Sequence, residues 1–131
     1  MPVETEIFPS KKLVIHTCSG EMDAEDFIRA FDASIEHPYF RPGMNVLWDI
    51  RKATINTTPQ NIQKLVTHVA QMREKRGSGY RLAVVSEKSV LLMLAGIFKA
   101  LSTPLTFHVR IHRDLDSAKR WLQNGENPKN V

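Results

Sequence analysis

The chain has 131 residues, 42% of them hydrophobic and 24% charged, with a formal net charge of +4. That length suits one core and not two, and that composition excludes both a disordered polymer and a membrane-embedded protein; a single domain over residues 1–131 with no stable membrane insertion is expected. Met1 to Ser10 carries Glu4, Glu6 and two prolines where an export signal needs a basic start and an apolar run, and the lone Cys18 cannot make an internal disulfide, so the expected compartment is the cytoplasm.

Glu4 to Phe8 and Leu13 to Thr17 are short apolar-rich runs separated by Pro9-Ser10-Lys11-Lys12, which predicts a hairpin of two antiparallel strands. Ser19-Gly20 ends the second run. From Asp23, a suitable N-cap, the period becomes helical: Phe27, Ile28, Phe31 and Ile35 share one face while Glu25, Asp26, Arg29 and Asp32 share the other. His37-Pro38 stops this helix, and Arg41-Pro42-Gly43 turns the chain into Met44 to Ile50, a buried strand. Thr58 as N-cap and Pro59 at the first helical position open the next helix, with Ile62, Leu65, Val66, Val69 and Met72 on its apolar face and Gly77-Ser78-Gly79 at its end. Arg73, Lys75, Arg76 and Arg81 cluster there. Cations are favoured at a helix C-terminus, and no stacking aromatics interleave beyond Tyr80, so the cluster reads as a solvated helix end with no nucleic-acid partner.

Arg81 to Ser86 is a further short strand. Val90 to Leu101 then forms a helix with Lys99 as its only charge, too short to cross a bilayer, which needs about 20 residues. Pro104 closes it, Thr106 to His112 is the last strand, and Leu115, Ala118, Trp121 and Leu122 mark a final amphipathic helix that starts at Asp114 or Asp116 and ends at Gly125. The tail from Glu126 to Val131 is expected to be loose. The order β-β-α-β-α-β-α-β-α, with connections too long for hairpins after the second strand, predicts an α/β fold: a five-stranded, mainly parallel mixed sheet with an antiparallel N-terminal edge strand and four helices.

Four segments carry a resemblance: K-L-V-I-H-T-C-S-G-E-M at Lys12 to Met22, N-V-L-W-D-I-R at Asn45 to Arg51, R-L-A-V-V-S at Arg81 to Ser86, and V-R-I-H-R-D-L-D-S-A-K-R-W-L at Val109 to Leu122. They resemble the small bacterial SpoIIAA-like proteins, a branch of the STAS and SEC14-like group. The resemblance implies a non-enzymatic regulatory or protein-interaction module, with a regulatory protein as partner; its SEC14-like side implies the alternative of an apolar small-molecule or lipid-binding protein. Anti-sigma factor antagonists of the group carry a D-S-S-G-like segment whose serine is phosphorylated by a partner kinase. The matching segment here is Asn56-Thr57-Thr58-Pro59, which departs from that motif at every position, so Thr57 and Thr58 are candidate phosphoacceptors, while capping alone also accounts for Thr58.

Loops after the carboxyl ends of parallel strands gather at one sheet edge, where ligands tend to bind. That edge collects Cys18, Ser19, Asp49, Arg51, Thr57, Thr58, Ser86, Lys88, His112 and Arg113, of which Asp49, Arg51, Ser86, His112 and Arg113 are the candidate strand-end site. Cys18, His112 and Asp49 are the types a nucleophilic triad needs, but their spacing carries no family signature, and strand-end burial accounts for them equally; no catalytic residue is assigned. His108 and His112 lie roughly 13 Å apart on a strand and cannot share a metal ion, and His16 with Cys18 supplies two ligands without a third, so neither metal nor cofactor is expected. The apolar helix must be covered by the sheet and neighbouring helices, by a second copy in a homodimer, or by an apolar ligand; Met93, Ile97, Phe98 and Leu101 are its candidate ligand or interface residues.

Overall fold

The computed structural model describes residues 2–124, apart from the side chains of Val90 and Asn124. Five strands form one sheet in chain order: β1 (Val3–Phe8), β2 (Leu13–Met22), β3 (Asn45–Ile55), β4 (Arg81–Val85) and β5 (His108–His112). β1 is antiparallel to β2, from Val3 opposite Cys18 to Phe8 opposite Leu13, and all later neighbours are parallel. This is the mixed sheet expected from the sequence. The helices are α1 (Ala24–Ile35), α2 (Pro59–Gln71), α3 (Arg73–Arg76), α4 (Ser89–Leu101) and α5 (Leu115–Asn124), one more than expected because the chain breaks at Met72 and starts a separate turn. The loose tail expected from Glu126 onward lies outside the described residues, as does the stop expected at Gly125.

Local chemistry sets the helix starts. Asp23 forms a capping box with α1: the Asp26 amide donates to Asp23 Oδ1 (3.1 Å) and the Asp23 amide donates to Asp26 Oδ2 (2.9 Å). The Asn61 amide donates to Thr58 Oγ1 at 3.2 Å, with Pro59 opening α2. Two strands outrun their expected ends. β2 and β3 continue past a register shift, Thr17 pairing with Asp49 and Ser19 with Lys52, so that one extra residue of β3 is bulged and the pair runs on to Met22 and Ile55.

A parallel sheet that winds in one direction keeps all its same-handed crossovers on one face. The connections through α1, α2 and α4 accordingly cover one face, packing on Val14, His16, Cys18, Val46, Trp48 and Val84, and α5 alone covers the other, on Leu13, Leu47, Ala83 and Val85. Among the described residues no further strand pairs with either sheet edge: β1 shows Glu4 and Glu6 to solvent, and β5 carries His108 and Arg110.

One glycine fixes a close approach. Gly77 has φ +90°, and a Cβ there would lie 2.3 Å from the Gly43 nitrogen. The Gly43 amide donates to the Arg76 carbonyl at 2.8 Å, clamping the end of α3 to the turn before β3.

Candidate functional site

Between the sheet and the layer of α1, α2 and α4 lies a cavity of about 100 Å³. Its floor is the inward side of β2, β3 and β4, including Val14, Trp48, Leu82 and Val84; its roof comes from Phe27 and Phe31 of α1, Leu65 and Val69 of α2, and Leu91, Leu94 and Phe98 of α4. The apolar helix is thus half explained: Leu91 and Ala95 are buried and turned to the core, while Met93 is 58% exposed. Of the four α4 residues singled out from sequence, only Phe98 lines the cavity; Ile97 and Leu101 are half-buried elsewhere.

Besides Ser34, Thr57 and Tyr80, two basic side chains stand in this apolar wall. His16 is buried, stacks on Trp48 with ring centroids 3.9 Å apart, and shares a hydrogen bond between its Nδ1 and Thr5 Oγ1 at 2.8 Å. Burial, helped by the positive charge of Arg76, pushes its pKa down to about 3, so it is a neutral ring at physiological pH. Arg76 is only 3% exposed, which corrects the reading of the basic cluster as wholly solvated: Arg73, Glu74 and Lys75 do face water, but the short turn of α3 drives Arg76 inward. Its guanidinium carbon sits 3.7 Å from the Tyr80 ring centroid and 5.2 Å from that of Phe40. Nη2 donates to the Met44 carbonyl at 2.7 Å, and Nη1 is buried without a hydrogen-bond partner. Among the described residues no carboxylate forms a salt bridge with it. Burial lowers its pKa to about 10, which leaves it cationic at neutral pH.

Alternation along the strands divides the other sequence candidates. Cys18 belongs to the helix-layer face, whereas Asp49, flanked by the core residues Trp48 and Ile50, and His112, beside Trp121 of α5, are on the opposite face. The sheet therefore separates Cys18 from the other two residues of the hypothetical triad. Burial, with the Asp49 charge adding to it, pushes the Cys18 thiol up to about 12, the reverse of what a nucleophile requires. Asp49 is occupied by Arg51: Nε donates to Oδ1 at 2.9 Å and Nη2 to Oδ2 at 2.8 Å. Burial works against ionisation of Asp49, but these bonds outweigh it and hold the carboxyl below its usual range. His112 is lowered by burial and by Arg110, against a weaker pull from Asp114, and its Nε2 is buried without a partner. Ser86 is fully buried, its hydroxyl accepting from the Lys88 amide, and Arg113 is exposed. Because the strand order never reverses, this edge lacks the crevice that a switch point opens in doubly wound sheets. Thr58 is exposed and capping, and Thr57 is half-buried in the cavity lining.

Among the described residues no group of three or more His, Cys, Asp or Glu is arranged to hold a metal ion, and no helix is long and apolar enough to cross a membrane. No protein-family model matches the chain. No curated protein matches it either. Among solved structures, it is similar to an uncharacterized protein of the DUF3478 family with a SpoIIAA-like fold from Shewanella loihica PV-4, at a TM-score of 0.58 and 11% identity, over 92% of this chain and 91% of that one. At that identity the likeness carries the fold alone. The chain has the SpoIIAA-like fold that its strand segments suggested.

Proposed function

We propose that the protein is a non-catalytic binding module whose ligand is a small apolar molecule held between the sheet and α1, α2 and α4. One observation carries this reading: the interior keeps about 100 Å³ open where a core has every reason to close. At about 24 cal/mol per Å³, a void of that size costs on the order of 2 kcal/mol, and dry apolar cavities of about 150 Å³ take up benzene-sized guests. The space suits a compact guest and is too small for a whole lipid.

Trp48 in the cavity lining and Trp121 in α5 are the two tryptophans, so a W121F variant reports on the cavity alone. Titration of W121F with toluene is expected to change Trp48 emission saturably, and A95F, which fills the space from α4, is expected to abolish the change. Emission that stays flat in W121F, or an unaltered response in A95F, would sink the proposal.

A second reading, the regulatory module implied by the resemblance, rests on the outer side of α4, where Met93 is exposed and Leu92, Ile97 and Leu101 are half-exposed. There the surface would meet a second copy of the chain. Light scattering is expected to give a dimer that M93D dissociates; a monomer at high concentration ends this reading and leaves the first intact.

A further inference from the structure

We propose that the guest is an anion: a short apolar monocarboxylate whose carboxylate accepts from Arg76 Nη1 while its hydrocarbon or aromatic body fills the cavity. The inference rests on the binding reading above and adds the chemistry of the recognised group. A charge removed from water is costly unless paired, and truly unpaired buried donors are rare in native folds. Arg76 breaks both expectations at one place, in the wall of the cavity: it is 3% exposed, it forms no salt bridge among the described residues, and one of its two terminal nitrogens has no partner.

The rest of its surroundings act as a mounting. The Tyr80 ring, and more distantly the Phe40 ring, lie against the guanidinium, the Met44 carbonyl takes Nη2, and the Gly43 amide holds the Arg76 carbonyl, so the fork is fixed before any ligand arrives. Preorganised guanidinium groups recognise planar carboxylates through charge-assisted hydrogen bonds. The remaining polar ring in the wall, His16, is neutral and stacked on Trp48, so it does not compete for the anion as a second cation. Volume then limits the acid: about 100 Å³, below the about 150 Å³ that takes up benzene, restricts the body to at most one ring or a short branched chain and excludes long acyl chains.

The test compares benzoate with benzyl alcohol, equal in shape and different in charge, on wild type, R76K and R76M by isothermal calorimetry and by NMR of the arginine side-chain nitrogens. Wild type is expected to prefer benzoate by roughly tenfold or more, a gap R76K narrows and R76M erases, with the Arg76 resonances shifting on binding. Equal affinity of the two probes for wild type overturns the carboxylate assignment while leaving the apolar-cavity reading standing. Binding of neither probe removes both. Benzoate that shifts the exposed Arg73 without Arg76 is surface attraction and overturns the proposal. Should R76M fail to fold, the wild-type preference and the nitrogen shifts decide the matter.

Discussion

The two faces of the sheet are packed to different standards. On the α5 face, Leu47, Ala83, Val85 and Ala118 have no measurable exposure, and Leu13 and Leu122 close around them in a small, wholly apolar cluster. On the other face, three helices enclose a far larger cluster, yet leave a cavity and seat an imidazole and an unpaired guanidinium in its wall. Same strands, same alternation, opposite outcome: the tight face shows that the fold packs fully where nothing has to be accommodated. The looser face is the one on which the proposed guest would sit.

Core truncation gives the largest expected difference. L47A is expected to cost about 3 kcal/mol or more in urea unfolding, within the usual range of roughly 2–5 kcal/mol, because the α5 face cannot collapse around the loss. L94A, cut from a side chain that already borders open space, is expected to cost less than half as much; equal losses would erase the distinction between the faces. The next effect is acid sensitivity. His16 has its folded pKa lowered to about 3 against an ordinary 6.5, so below pH 6.5 the unfolded chain takes a proton that the folded one refuses. Stability from this group is complete above pH 6.5 and falls as pH drops toward 3, at about 1.4 kcal/mol per unit, or about 2 kcal/mol between pH 6.5 and 5. H16Q is expected to flatten that slope; an unchanged slope would place the acid sensitivity elsewhere. T58A should cost about 1 kcal/mol through loss of the α2 cap, measured by thermal melting. Smallest is R76M: exchanging an uncompensated buried charge for an apolar side chain of similar length is expected to alter stability by less than about 1 kcal/mol or to raise it. A loss well beyond that would mean that the charge is already balanced in the free protein.

Strands and caps were legible in the chain because their signals are local. Asp23 and Thr58 sit where an N-cap must, and the apolar runs delimit the sheet. The ends of β2 and β3 were not legible, since Glu21, Lys52 and Thr54 look like loop residues and are held in strand only by the pairing of β2 with β3 beyond a bulge. A helix apolar all round gives no phase, so the sequence could not tell that Phe98 lines the cavity while Met93 points outward. Arg76 escaped altogether. Its neighbours Arg73 and Lys75 are solvated, and only a non-local event, the Gly77 backbone meeting Gly43, turns it inward. The one local hint was Tyr80, four residues on, just after a glycine pair, Gly77 and Gly79, that allows the chain to fold back over the guanidinium.

The open sheet ends in two borders of opposite electrical sign, with Glu4 and Glu6 along one and Arg110 along the other. A two-fold pairing that extended the sheet across either border would set like charges side by side, acid against acid or base against base. Ribbon-like growth from one copy to the next would have to join unlike borders, and short charged rims are a common guard against such runaway stacking. The same arithmetic directs any two-fold self-association away from the strands and onto a helical flank.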